Sequence, residues 1–528
     1  MTTAKSFHVA GLEGATEGLT TRDVTISSNR RLLPRGLRES GAGEMVVQAD
    51  EVVRVELDNG FVLWTRADDL IGEHGTRVLG RGGEAAWEIT LREPTGIRQR
   101  SERGWLKLGI RVLDFFGIDL AGKTAHALSL KFETKQLGGN PPGLYRCQMT
   151  GEFSLLPLDA AKPIAEGKGP ILVFLHGTAS STRGSFGKLW EDQNAQGKEA
   201  RRVLGETYGE RVFAYEHCSL TQSPIQNALE LARLLDKLLP KGAPLHLVSH
   251  SRGGLVGELL CLGQRDTQND PLQTDYAELF QSDRSMARQL GLKPLDSRSE
   301  KARDEAYAQD RAMLEKLRDL VDLKKFPVTR FVRVACPARG TTLASGRLDR
   351  WLSVLDFISG KGFFGDAVDF LLAVVKERTD PRTLPGLEAM MPGSALTRLL
   401  HHPHLKTGAD LAVISGDIEG ETLWGQIKLL ATDWFYGAEH DLVVNTGSMY
   451  GGIRRLEKSA RFQFDQGAAV CHFNYFENKQ SITWLVSGLT RSDAGDGGFQ
   501  PIEVAKHEEP RWRAAVRRSR AVSTPRPL

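Results

Sequence analysis

The 528-residue chain carries 69 Lys+Arg against 66 Asp+Glu, a net charge of +3, which excludes the basic excess of a nucleic-acid-coating protein. With 40% hydrophobic and 26% charged residues it is not a disordered chain, and at roughly 150 residues per domain it predicts two or three domains. No apolar run reaches the ~18 residues of a spanning helix, and residues 1–10 lack a signal-peptide core. Cysteines at 147, 218, 261, 336 and 471 form neither a disulfide framework nor a zinc-ligand spacing, so a soluble, cytoplasmic, reducing-compartment protein is expected.

Residues 1–40 are polar and predict a flexible start. Strand-like runs follow at 45–47, 52–57, 61–65 and 86–91, with Asp58-Asn59-Gly60 as a hairpin turn because Asn-Gly tolerates positive φ. A helix is predicted at 104–116 and more strand at 125–132, so 1–150 reads as a β-rich region of unknown role. From Gly169 the pattern changes. Residues 170–175 (PILVFL), 211–215 (RVFAY) and 245–249 (LHLVS) are short apolar runs of the kind buried on both faces. Ser223-Pro224 opens a helix between the second and third, carrying Ala228, Leu231, Ala232 and Leu235 at helical spacing. A helix over 253–262 and strands at 331–335 and 411–415 continue the alternation, which predicts a mostly parallel α/β sheet over 151–495. Two insertions interrupt it. Residues 264–328 are charged and predict a solvated helix near 303–323, with Ala306, Met313, Leu317 and Leu320 on one face. Residues 347–400 hold an apolar stretch, 347–376, that reads as a helical cap. The basic end, 496–528, is expected to be disordered, with a solvated tail favoured over a contact with an acidic partner or membrane surface.

The chemistry concentrates at Ser249-His250-Ser251-Arg252-Gly253, where a strand runs straight into a helix. A serine on so sharp a turn needs small residues two places before and after it, and Ser249 and Gly253 supply them. The other reading is a plain strand-to-helix turn. Upstream, His176-Gly177-Thr178 follows strand 170–175, and an oxyanion hole needs two convergent N–H donors. Arg252 and Thr178 are the expected donors, with Gly177 permitting close backbone approach and His176 orienting the loop beside the substrate.

These motifs resemble the α/β-hydrolase superfamily, and within it the bacterial lipases, over roughly 168–490. Pro337-Ala338-Arg339-Gly340-Thr341 and Pro392-Gly393-Ser394 are similar to loops of that family. The resemblance implies an α/β-hydrolase fold with helical cap insertions, and a triad in the order Ser, acid, His. His472, in Cys471-His472-Phe473-Asn474, resembles the lipase histidine. Asp441, in Glu439-His440-Asp441-Leu442-Val443, resembles the segment carrying the lipase aspartate and is preferred to Asp417, which follows strand 411–415. Many such lipases bind calcium through an aspartate two places after the histidine. Here that residue is Asn474, so no metal is expected. His401, His402 and His404 read as a surface loop in preference to a metal cluster, and His217 as a loop histidine. Nucleotide binding lacks a phosphate-cradling spacing, and no cofactor or nucleic-acid partner is expected.

The function these residues imply is a lipase- or esterase-like serine hydrolase acting on an acyl ester, with the apolar 347–376 cap favouring a lipid chain. A thioesterase or acyltransferase would use the same triad. A non-catalytic module that keeps the fold is the alternative from another class, and the oligomeric state stays open.

Overall fold

Period-two and buried-strand sequence patterns build two different units. The structure is a computed structural model whose described residues are 6–16, 18–33, 43–57, 62–79, 85–89, 110–158, 169–268, 270–274, 276–281, 284, 287, 293–340, 348–349, 352–353, 366–417, 451–456, 460–466, 475–493 and 495–502. One unit comprises Met1–Phe132, Arg347–Asp380 and Leu429–Glu439, the other Glu133–Gly346, Pro381–Lys428 and His440–Leu528.

The first unit is a sheet of β1 (Ser6–Gly14), β2 (Thr25–Leu33), β3 (Gly43–Gln48), β4 (Val52–Leu57), β5 (Val62–Arg66), β6 (Gly75–Leu79), β7 (Ala85–Ile89) and β8 (Ile110–Asp119). Its order is β5-β4-β8-β2-β1-β7-β6, with β3 also paired to β1. Residues 6–33, expected as part of a flexible start, thus contain two strands. In β1 Phe7, Val9 and Gly11 alternate inward. The polar look of β2 comes from arginines with partners across the sheet. Arg31 donates to Asp114 of β8 at 2.6 Å, and Arg54 of β4 reaches the same carboxylate at 3.1 Å. The helix predicted at 104–116 is also corrected, for the described part is strand β8. It lies between β2 and β4 and is buried without alternation from Val112 through Phe116, Asp114 included. Periodicity by itself does not separate such a run from a helix.

The strand predicted at 125–132 is instead part of the helix Ala125–Gln136. Its buried positions, Ala125, Leu128, Ser129 and Glu133, repeat at three and four residues, while Leu128, Leu130 and Phe132 imitate alternation. The apolar segment expected as a cap has its described residues in the first unit. The helix Asp366–Glu377 packs on β4 and β5, and Phe370 stacks on Phe132 with ring centroids 5.7 Å apart. Phe370, Leu371, Leu372 and Val374 are buried. Asp369, fully buried, accepts the backbone N–H groups of Arg22, Asp23 and Val24.

The second unit is built on β9 (Gly143–Cys147), β10 (Leu155–Pro157), β11 (Ile171–Leu175), β12 (Val212–Glu216), β13 (Leu245–His250), β14 (Val328–Val334), β16 (Leu411–Asp417), β18 (Ala460–Gln466) and β19 (Gln500–Pro501); β15 (Lys406–Thr407) and β17 (Arg454–Arg455) form a separate pair. The sheet order is β10-β9-β12-β11-β13-β14-β16-β18-β19, with β12 through β18 parallel and β9 and β19 antiparallel to their neighbours. The domain division expected near residue 150 therefore falls earlier, because β9 hydrogen-bonds to β12. Beyond β19, residues 503–528 of the predicted basic tail lie outside the described residues.

Crossover helices behave as the sequence predicts. Ser223 caps Pro224–Leu238 by accepting the Gln226 N–H at 3.2 Å, and Pro224 stands in the first turn. The charged insertion is less solvated than expected. Its helix Ser297–Lys324 buries Tyr307, Asp310, Leu314, Leu317 and Val321 against Pro224–Leu238 and its neighbours. Of the predicted stripe only Leu317 is on the buried face. From β11 the chain crosses to β12 on one side and then to β13 on the other, so β11 and β13 flank a topological switch point. Ligands of open α/β sheets bind beyond the strand C-termini at such a point.

Candidate active site

β13 ends at His250, and Ser251 follows with φ +50, the left-handed region that costs a side-chain-bearing residue about 1–2 kcal/mol. The turn is locked on both sides. The Ser251 N–H donates to the Val334 carbonyl at 2.9 Å, and the Gly254 N–H donates back to the Ser251 carbonyl at 3.0 Å. A Cβ on Gly253 would lie 2.3 Å from the Leu175 oxygen and 2.5 Å from the His176 oxygen, so the helix Gly253–Leu260 can start there only without a side chain. Ser249 is fully buried, which explains its small size. Two more non-glycine residues with positive φ, Ala179 and Ala335, follow β11 and β14, so backbone strain gathers at one end of this sheet. Strain of this kind persists where its surroundings hold it, typically around functional sites.

The loop after β11 lies against this turn, for a Cβ on Gly177 would be 2.9 Å from the Ser251 Cβ. Its consecutive N–H groups have different fates. Gly177 N–H donates to Ser185 Oγ at 3.2 Å and Ala179 N–H to Ser219 Oγ at 2.8 Å. The Thr178 N–H between them has no acceptor among the described residues, and neither has the Arg252 N–H at the helix start. These are the two donors the sequence singles out. The Thr178 hydroxyl itself turns away to Met390 Sδ at 3.3 Å.

His176 is fully buried, with Nδ1 3.0 Å from the Gly177 carbonyl and Nε2 accepting the His217 N–H at 3.2 Å. Burial holds it down at about pKa 3, so it is neutral, and its engaged nitrogens make it a loop anchor. His217, just beyond β12, is also fully buried, stacked between His176 and Tyr215, and its Nδ1 lies 3.2 Å from the Tyr215 carbonyl, which fits a loop histidine held by hydrogen bonds. Beside them burial pushes Glu216 up to about 7, while its Oε1 accepts the Thr182 N–H at 3.0 Å.

Several supporting residues carry no sequence motif. Glu133 is buried and its carboxylate collects the N–H groups of Ser219, Leu220 and Thr221 and the Thr221 hydroxyl. Gln136 binds the Ala179 carbonyl. The Arg252 side chain, fully buried, donates to the carbonyls of Gly386 at 3.1 Å and Gln222 at 2.6 Å. Ser185 and His250 are joined at 3.2 Å between Oγ and Nδ1. Behind the turn, Glu258 is fully buried and pairs with Arg333 and with Arg455 at 2.9 Å, and it accepts the Ile453 N–H at 3.1 Å. These partners are separated from one another by tens of residues, so no local signal marks them.

Asp441 and His472 lie outside the described residues. Asp417 ends β16. Tyr475 and Phe476, just beyond His472, are buried, and the Phe476 ring lies 5.6 Å from the His250 ring. His401 is corrected from surface loop to a half-buried ring with both nitrogens used, Nδ1 to the Thr397 carbonyl at 2.7 Å and Nε2 from the Gly452 N–H at 3.0 Å. The described cysteines 147, 218, 261 and 336 are buried, and burial pushes their thiols to about 11 or 12, away from nucleophilic chemistry. A carboxylate group in the first unit, Asp23, Asp366 and Asp369, is met by Lys123, Lys131 and Arg22.

A family model described as a domain of unknown function, DUF7379, matches residues 140–277 and 310–490, more than half of the chain. The chain belongs to that family. The DUF7379 match spans Ser251, the loop after β11, both candidate acids and His472, and leaves out β1 through β8. No curated protein matches the chain. Among solved structures it is similar to the Bacillus licheniformis lipase BlEst2, at 17% identity over 64% of this chain and 94% of that one, TM-score 0.27. It is similar also to esterase B from Lactobacillus rhamnosis, at 12% identity over 67% and 89%, TM-score 0.25. A third is the RedJ thioesterase from prodiginine biosynthesis in Streptomyces coelicolor, at 12% over 63% and 94%, TM-score 0.27. Among the described residues no helix is long and apolar enough to cross a membrane.

Proposed function

We propose that this chain is a serine hydrolase of the α/β-hydrolase fold that cleaves a carboxylic ester through Ser251, His472 and Asp441. One observation carries the reading. At the switch point of the sheet, a serine in left-handed conformation touches a loop whose Thr178 N–H, like the Arg252 N–H next to the serine, has no acceptor among the described residues. Ser251 Oγ attacks the ester carbonyl carbon and passes its proton to His472. The oxyanion so formed accepts hydrogen bonds from Thr178 and Arg252. Collapse expels the alcohol, which takes the proton from His472, and water then adds to the acyl-enzyme by the same route to release the acid. Each oxyanion donor contributes about 10²–10³ in rate in comparable enzymes.

His472 is supported by its flank. Phe476, four residues on in sequence, has its ring 5.6 Å from that of His250, the residue before Ser251. Asp441 orients His472 in this reading, with Asp417 as the competing acid at the end of β16. The substrate is an acyl ester of unspecified chain length. The described apolar side chains of 366–376 are for the most part buried, so they offer no free apolar surface to a lipid chain.

Ser251→Ala tests the reading. Hydrolysis of p-nitrophenyl butyrate is expected to fall at least ~10³-fold and fluorophosphonate labelling to vanish. Turnover at the wild-type rate would sink the assignment, and a wild-type protein inert to the probe would favour a non-catalytic module.

A further inference from the structure

We propose that Ser185 is a positioning residue for the oxyanion hole, joining the loop that carries the Thr178 N–H to the turn that carries Ser251 and Arg252. The inference rests on the reading of Ser251 as nucleophile and adds how its donors are held. Ser185 is buried on the short helix Thr182–Phe186, which Ser181 caps by accepting the Gly184 N–H at 3.1 Å. Its Oγ has three partners: the Gly177 nitrogen at 3.2 Å, His250 Nδ1 at 3.2 Å and Ser180 Oγ at 3.1 Å.

A hydroxyl has one proton to give and two lone pairs to receive with. Gly177 N–H can only donate, so Ser185 accepts there. Ser180 directs its own proton to the Ser181 carbonyl at 3.2 Å, so the contact between the two serines uses the Ser185 proton. The remaining lone pair of Ser185 then receives a proton from His250, which assigns His250 as the Nδ1–H tautomer. Every capacity of the Ser185 hydroxyl is used.

The consequence is geometric. The Thr178 peptide is pinned on one side at Gly177 by Ser185 and on the other at Ala179 by Ser219. His250 immediately precedes Ser251. A single oxygen thus fixes the loop donor relative to the nucleophile, and catalytic groups must be held within about 0.5 Å of their working geometry. Removing it takes the acceptor from the buried Gly177 N–H and cuts the tie between that loop and His250, which loosens the hole without touching substrate.

The test uses the full chain with Ser185→Ala and the near-isosteric Ser185→Cys, whose sulfur is a poor acceptor. Kinetics are measured on p-nitrophenyl butyrate and on its thiono analogue, in which sulfur replaces the carbonyl oxygen. Sulfur takes N–H bonds weakly, so the oxo-to-thiono rate ratio reports the oxyanion hole. For both variants kcat on the oxo ester is expected to fall about 10- to 100-fold with KM within about twofold, and the ratio to fall with it. Unchanged kcat and ratio, or equal losses on both esters with a lowered Tm, would overturn the proposal and leave Ser185 a packing residue. Wild-type labelling at Ser251 alongside such a result would confine the failure to Ser185. A wild-type protein that neither labels nor turns over overturns both readings. Should Ser185→Ala fail to fold, Ser185→Cys, which leaves no void, decides the matter.

Discussion

Gly253 is confined by two carbonyl oxygens, those of Leu175 and His176, closer than any Cβ tolerates. Gly253→Ala must push β11 and the helix Gly253–Leu260 apart, and is expected to cost about 1–3 kcal/mol in urea unfolding. Activity should fall further than stability, because the displaced atoms belong to the loop bearing Thr178. Gly72, in the helix Ala67–His74, has nothing within 4 Å of its Cβ position, and Gly72→Ala is expected to be neutral or to stabilise by up to about 1 kcal/mol. Equal effects of the two substitutions would refute this account. Ser251, Gly253 and Gly177 were legible in the sequence because sterics demand small residues at fixed offsets. Ser185, Ser219 and Glu133 were not, since a serine or glutamate gains its role only from partners brought to it by folding.

At the scale of elements, the helix Ser297–Lys324 shows what a charged surface conceals. Its buried stripe, Tyr307, Asp310, Leu314, Leu317 and Val321, is spaced alternately by three and four residues but includes an aspartate, which hides it from a search for apolar faces. Burial pushes the Asp310 carboxyl up to about 7, beside the Ser223 hydroxyl that donates to it. Leu317→Ala is expected to cost about 2–5 kcal/mol and Met313→Ala under about 1 kcal/mol, by chemical denaturation. A larger loss at Met313 would mean that the helix packs in the register read from the sequence. The exchange of strand for helix at 110–119 and 125–136 has a similar cause. A strand buried in a sheet loses its alternation, and a helix with three apolar residues at even spacing acquires one.

At the scale of the whole molecule, the second unit buries ionisable groups that make its stability depend on pH. Burial holds His176 and His246 down at about 3 and His401 at about 4, and holds His217 well below its ordinary value. Below the unfolded value near 6.5 the unfolded chain binds protons that these folded histidines refuse, so each destabilises as pH falls toward 4. Glu216 and Asp310, both raised to about 7, act with the opposite sign, their contribution being present at low pH and lost as pH rises through 7. Four histidines outweigh these two carboxyls among the described residues. Each uncompensated group shifts stability by about 1.4 kcal/mol per pH unit. Tm is therefore expected to drop by about 2 °C between pH 7.5 and pH 5.5 in scanning calorimetry, and a constant or rising Tm would contradict the burial of neutral imidazoles.

Taken by itself, the amino-acid sequence determined the alternation of strands and helices after Gly169 and the turn at Ser251, because local sterics and periodicity act over a few residues. Tertiary structure decided what non-local pairing controls. It made strands of a polar start, moved the unit boundary ahead of β9, and buried the described apolar side chains Phe370, Leu371, Leu372 and Val374. It also gathered Ser185, Ser219, Glu133 and His250 around the loop after β11. A hydrogen-bond partner forty or eighty residues away leaves no periodic trace in the chain, and only the folded backbone brings the two together.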